Sequence, residues 1–83
     1  MMTAFELLNK VKWDKKENPA EYTLAYHDRI KNTNVELPLS EVVAIDQLAF
    51  TIRKGKDDVE IPLHRLRKIY KRGLLLWDRE KKE

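Results

Sequence analysis

The sequence predicts an α+β fold: an N-terminal helix packed on a curved, mostly antiparallel sheet of five to six short strands. Three observations carry that prediction. Ala4, Leu7, Leu8 and Val11 recur at helical spacing in the opening segment. From Tyr22 the apolar period changes to two, with Tyr22, Leu24 and Tyr26 alternating with Thr23, Ala25 and His27. Finally, the pattern over residues 35–45 returns over residues 59–69, so the sheet carries an internal pseudo-repeat.

Taken in order, Thr3 and Glu6 have the spacing of a capping box, in which the hydroxyl and the carboxylate satisfy each other's end of the first turn. The helix is expected from Thr3 to Lys12. Pro19 biases Asn18 out of helical geometry, so the run from Asp14 reads as a polar loop. A strand starts near Tyr22, and Asn32-Thr33-Asn34 has turn composition.

The repeat then pairs Val35-Glu36-Leu37-Pro38-Leu39 with Val59-Glu60-Ile61-Pro62-Leu63. Each copy reads as a short strand, a proline that stops ladder pairing, one helical or 3₁₀ turn, and a return strand. With two copies, the repeat is expected to be a pseudo-symmetry within one sheet. A strand through Phe50 and Ile52 runs to the turn-like 54–58 segment, and Lys68 to Trp77 reads as a hairpin about Gly73. A continuous helix through Leu63, Leu66, Ile69 and Tyr70, capped by Gly73, fits the same residues; the repeat favours turn plus hairpin. Trp13 and Trp77 are expected in the core. Residues 79–83 are expected to fray, and residues 1–83 to form one domain.

A chain of 83 residues holds one core and buries about 60–65% of its unfolded surface. Charged residues make up 37%, against about 25% in ordinary domains. The net charge of +3 is modest, but it is unevenly spread: residues 1–41 sum to −1 and residues 42–83 to +4. Between His64 and Arg72 stand Arg65, Arg67, Lys68, Lys71 and Arg72 with no acid among them. Such a stretch attracts phosphates at short range; on charge alone a solvated charged strand or turn is the favoured reading. The absence of cysteine excludes disulfides, thiolate metal sites and cysteine nucleophiles. No secretory signal or membrane-length apolar run is visible, so a cytoplasmic protein without membrane contact is expected.

Little in the chain reads as catalytic. His27 and His64 suggest an acid–base pair for phosphoryl transfer. Their contexts, His27-Asp28-Arg29 and His64-Arg65-Leu66, lack the paired His-x-Thr or His-x-Ser of two-histidine phosphoesterases. A lone histidine is more often a surface or hydrogen-bonded structural residue. No metal-ligand spacing and no phosphate-cradling glycine loop is present, and no cofactor is implied. What remains is a binding surface. Arg65, Arg67, Lys71 and Arg72 offer phosphate contacts, and Tyr22, Tyr26, Tyr70 and Trp77 are candidate stacking rings or core.

Four segments resemble a known family: Leu8-Asn-Lys-Val-Lys-Trp-Asp14, Tyr22-Thr-Leu-Ala-Tyr-His-Asp-Arg29, Ile61-Pro-Leu-His-Arg-Leu66 and Trp77-Asp-Arg79. They are similar, in order and over nearly the whole chain, to small archaeal proteins related to the RNA cyclic-group end recognition domain. The resemblance implies a binding module for a phosphorylated or 2′,3′-cyclic phosphate RNA end, acting in RNA processing or repair. The implied partners are a single-stranded RNA end and RNA-processing proteins. Carried over residue by residue, it points to Trp13 and Asp14, Asp28 and Arg29, His64 and Arg65, and Trp77, Asp78 and Arg79. Arginine would take the phosphate as a forked donor, and the carboxylates would support it or close strand ends. The first repeat copy has Ser40-Glu41 where the second has His64-Arg65, so a one-sided site is expected. The alternatives are a protein-interaction adaptor with no nucleic-acid role and a cyclic phosphodiesterase using His64.

Overall fold

A computed structural model describes residues 3–79. The opening helix, α1, spans Ala4–Trp13, and Thr3 and Glu6 form the capping box reciprocally, at 3.1 Å in each direction. Ala4, Leu8 and Val11 are buried, and Leu7 packs half-buried beside them. Lys12 Nζ donates to the Val42 carbonyl at 2.7 Å, tying the far end of α1 to the sheets. Thr3→Ala is expected to cost about 1 kcal/mol, lowering Tm by roughly 4–8 °C in a domain this small. The Thr3 backbone amide, followed by its hydroxyl, holds the Glu6 carboxyl below its usual range. The carboxylate's contribution is therefore present above the unfolded pKa and lost as pH falls through the folded one. Because the Thr3 amide belongs to the backbone, Thr3→Ala keeps most of this dependence, and thermal melts of parent and variant should fall together in acid.

Seven strands follow: β1 (Tyr22–Asp28), β2 (Thr33–Pro38), β3 (Val42–Ile45), β4 (Ala49–Lys54), β5 (Asp57–Pro62), β6 (Leu66–Lys71) and β7 (Leu74–Asp78). They form two antiparallel sheets, one ordered β2-β1-β6-β7 and the other β3-β4-β5. The α+β class is as expected; the single sheet of five to six strands is corrected to seven strands in two sheets. The physical reason lies at the prolines. β2 ends at Pro38 and β5 at Pro62, and a single 3₁₀ turn (Leu39–Glu41, then Leu63–Arg65) swings the chain from one sheet into the other. The repeat is thus a pair of crossovers in opposite directions, not a symmetry inside one sheet. The 63–72 segment is a 3₁₀ turn plus a strand, and the continuous-helix alternative falls away.

Matched positions of the two copies carry matched burial. Leu37 and Ile61, Leu39 and Leu63, and Val42 and Leu66 all lie in the core. Between the sheets they meet Leu24, Tyr26, Phe50, Ile52 and Ile69. Register shifts in β1, β3 and β6 add local twist, which helps the short strands wrap this core.

The turns obey their own chemistry. Gly55 takes φ +62° at the first position of the two-residue β4–β5 loop, where a primed turn needs it. In the β6–β7 loop both Arg72 (φ 51°) and Gly73 (φ 83°) are left-handed, the type I′ requirement. The expected turn at 32–34 lies earlier: residues 29–32 turn, and Thr33 and Asn34 already pair with Asp28 and His27. Asp57 and Asp58 likewise belong to β5.

Candidate nucleic-acid interface

The β1–β2 turn and the Leu63–Arg65 turn come together at one place. Asp28 ends β1, and its Oδ1 accepts from the Ile30 amide at 2.9 Å and the Lys31 amide at 3.2 Å. Those amide bonds, that from Lys31 first, keep the Asp28 carboxyl ionised below its usual range, with Lys31 and Lys54 adding positive charge nearby. Asp28 is thus the staple of the turn that carries Arg29, which is exposed. From the other side, the 3₁₀ crossover presents Arg65. Arg29 and Arg65 line one cleft of about 190 Å³, together with His27, Lys54, Asp28 and Glu60 on walls of Tyr26, Ile52 and Ile61. Three permanent cations face two carboxylates there, one of which is already occupied by backbone amides.

Arg65 carries a second signal. Among the described residues its Nε is the one buried side-chain nitrogen or oxygen without a hydrogen-bond partner. Folded proteins pair nearly all such atoms, and an orphan costs about 1–3 kcal/mol. Arg65 thus combines an unsatisfied buried donor with a place in the lining of the cleft.

Arg67, Lys71 and Arg72 of the basic stretch, and Arg79 beyond it, are engaged within the protein. Arg67 Nη1 donates to the His64 carbonyl at 2.9 Å, and Arg79 donates from Nε to Leu66 O at 2.8 Å and from Nη2 to Leu63 O at 3.2 Å. Two guanidiniums therefore grip the crossover at the carbonyls of Leu63, His64 and Leu66. Arg79 also lies over the Trp77 ring at 5.1 Å, and its amide donates to Arg67 O at 2.9 Å. Arg79 is anchored, so the expected fraying does not begin there; residues 80–83 lie outside the described residues.

Lys71 sits 3.4 Å from Glu17 Oε1 and 5.5 Å from the Tyr22 ring centroid. The Tyr22 hydroxyl donates to the same carboxylate at 2.7 Å, which is the main reason Glu17 stays below its usual range. Burial, then that bond, pushes the Tyr22 phenol up. Arg72 is clamped to Glu21 through its Nε, at 3.0 Å, and its Nη2. This bond fixes a non-glycine residue in the left-handed first position of the turn.

The aromatics sort differently from the expectation. Trp13 is 74% exposed at the end of α1, which corrects its placement in the core: the helix outlasts the loop-ward turn of its apolar stripe, and position 13 falls off the buried face. Trp77 packs half-buried against the core. Tyr22 and Tyr26 are buried, so their rings are not open for stacking, whereas Tyr70 is half-buried. Asp14 caps α1 and accepts from the Lys16 amide at 2.9 Å. Asp78 stands opposite Lys68 in the β6–β7 register.

His64 is exposed on the crossover and does not line the cleft, so the two histidines do not meet there; His27 lines it alone. Sequence reasoning weighed His27 only as half of a catalytic histidine pair and did not single out Lys54 or Glu60. For His27 a signal existed, since it directly precedes Asp28-Arg29 in a segment that carried the resemblance. Lys54 and Glu60 arrive only through the β4–β5 hairpin. Among the described residues no group of three or more histidine or acidic side chains is placed to hold a metal ion, and no helix is long and apolar enough to cross a membrane.

Fold and cleft together define a small α+β domain of two antiparallel sheets, joined by paired 3₁₀ crossovers, with an arginine-lined cleft at one crossover. The chain belongs to the family of the MJ1316 RNA cyclic group end recognition domain, whose sequence profile matches residues 1–79. It is 30% identical over 77 residues to a UPF0248 protein of Saccharolobus solfataricus, covering 89% of this chain and 93% of the relative. A UPF0248 protein of Methanococcus maripaludis is 33% identical over 75 residues, covering 87% and 92%. One from Metallosphaera sedula is 30% identical over 78 residues, with 94% of both chains covered. No solved structure matches significantly.

Proposed function

We propose that the domain binds the end of a single-stranded RNA, taking a terminal phosphate, and a 2′,3′-cyclic phosphate above all, between Arg29 and Arg65. The observation that carries this reading is the convergence of those two arginines in one cleft while Arg65 Nε stays buried without a partner. A cyclic phosphodiester has a single negative charge and two free oxygens, which a guanidinium fork meets geometrically. The family name points to the same class of ligand. Asp28 acts by shaping the turn and His27 offers a further donor from the cleft wall.

A second reading, a protein adaptor, rests on β7. This edge strand presents Leu74, Leu75 and Leu76, the first of them 71% exposed, with its charge confined to Asp78 at the strand end.

Amide chemical-shift titration with two RNAs of one sequence, ending in a 2′,3′-cyclic phosphate or in free hydroxyls, separates the readings. Saturable shifts at His27, Arg29, Lys54 and Arg65 with the cyclic end alone are the expected result, weakening as salt rises. Equal weak shifts with both RNAs reduce the cleft to nonspecific attraction. Silence with both leaves β7 as the functional surface.

A further inference from the structure

On the other flank of the same crossover lies a second, larger cavity, of about 550 Å³ and within the usual size range for small-molecule sites. Phe5, Gln47, Leu63, Trp77 and Arg79 shape it, and no carboxylate lines it. We infer that this cavity is a nucleobase subsite, receiving the base of the nucleotide whose phosphate occupies the Arg29–Arg65 cleft; the inference rests on that phosphate reading.

The placement comes from the Leu63–Arg65 turn. Leu63 lines the cavity and Arg65 lines the cleft, two residues apart in one 3₁₀ turn with a rise of about 2 Å per residue. Phosphate and base sites therefore sit on two sides of a single narrow ridge, with exposed His64 between them.

The chemistry fits a base more closely than a bare apolar group. Arg79 is fixed over Trp77 at 5.1 Å by its bonds to Leu63 O and Leu66 O, so a held guanidinium plane and a half-buried indole meet in the cavity wall. Single-stranded RNA bases are commonly captured on such aromatic and guanidinium surfaces. Gln47 brings a carboxamide, with both a donor and an acceptor for the edge of a base. Arg79 thereby becomes a platform fastened to the turn, where the basic stretch alone suggested a phosphate ligand.

The test uses the Trp13→Phe chain, which leaves Trp77 as the sole tryptophan at the expense of an exposed side chain. It is titrated with adenosine 2′,3′-cyclic phosphate and with 1-O-methylribose 2′,3′-cyclic phosphate, which carries the same anion and no base. Cleft occupancy is read from the Arg29 and Arg65 amides, and cavity occupancy from Trp77 fluorescence and its indole N–H resonance. Both ligands should shift the cleft amides. Only the adenosine ligand should perturb Trp77, and it should bind about five-fold or more tightly than the base-free one, with Gln47→Ala reducing that advantage. Equal affinities with Trp77 silent overturn the subsite and leave the phosphate site standing. If the cleft amides stay silent while free adenosine still perturbs Trp77, the phosphate reading falls and the base site stands. Silence in both regions overturns both.

Discussion

Arg65→Met should leave the domain as stable as the parent or slightly more so, while weakening binding of a cyclic-phosphate RNA end about ten-fold or more. The two halves of that result have one cause. In the free protein Arg65 Nε is buried without a partner, a cost that methionine removes while roughly preserving the length of the side chain. In the complex the same nitrogen and its neighbours would form charge-assisted bonds to the phosphate, each worth about 1.5–3 kcal/mol. A residue kept for folding shows the opposite sign: its loss lowers stability and touches binding only through unfolding. Parallel urea denaturation and titration of the variant decide between them. A clear loss of stability with unchanged RNA affinity would show that Arg65 is a structural residue whose orphan nitrogen has no functional meaning.

The basic stretch shows what a sequence does and does not convey about such a site. Five cations between His64 and Arg72 were legible at once, and so was the one-sidedness of the repeat. What each cation does was not legible, because that depends on partners far along the chain. Arg72 meets Glu21, Lys71 meets Glu17, and both carboxylates lie about fifty residues upstream in the segment leading into β1. Arg67 and Arg79 are absorbed by the carbonyls of Leu63, His64 and Leu66 at the crossover. Only Arg65 of that run reaches the cleft, where Arg29 joins it from the β1–β2 turn. Charge clustering located the ridge; antiparallel register chose which side chain faces the cleft.

The fold was legible where local signals coincide. The Thr3–Glu6 box and the Ala4-Leu8-Val11 stripe define α1 from within, and the Pro-Leu pairs at 38–39 and 62–63 mark both crossovers. That the two copies exchange sheets was hidden. The pattern of β2, with only Leu37 buried, resembles that of β5, with only Ile61 buried, and periodicity does not record which sheet a strand joins. Trp13 misled for a related reason, since apolar character at a helix end says nothing about where the partner surface stops.

Phe50→Ala is expected to be the most damaging single substitution considered, costing about 3–5 kcal/mol. A domain of this length holds about 4–12 kcal/mol in all, so the variant should be partly unfolded at room temperature. Phe50 is fully buried on β4, and its ring meets Tyr26 of β1 edge-to-face, with centroids 6.0 Å apart and planes at 75°. β4 belongs to the three-stranded sheet and β1 to the four-stranded one, so this pair is a direct bond between the layers. Phe50→Leu retains most of the volume and should cost about 1.5 kcal/mol or less beyond the lost ring pair. Denaturant midpoints at constant m would give both values. The effect should also reach the cleft, because Tyr26 forms part of its wall and adjoins His27. At a temperature where Phe50→Leu is fully folded, binding of the cyclic end should fall modestly, in step with the altered wall. A Phe50→Ala cost below about 1 kcal/mol would mean that the two sheets do not share one core. The cleft would then lose one wall: pairing of β1 with β6 sets Leu66 beside Tyr26 and so holds Arg65 near the Arg29 turn, but Ile52, Lys54 and Glu60 reach the cleft only because the second sheet closes on the first.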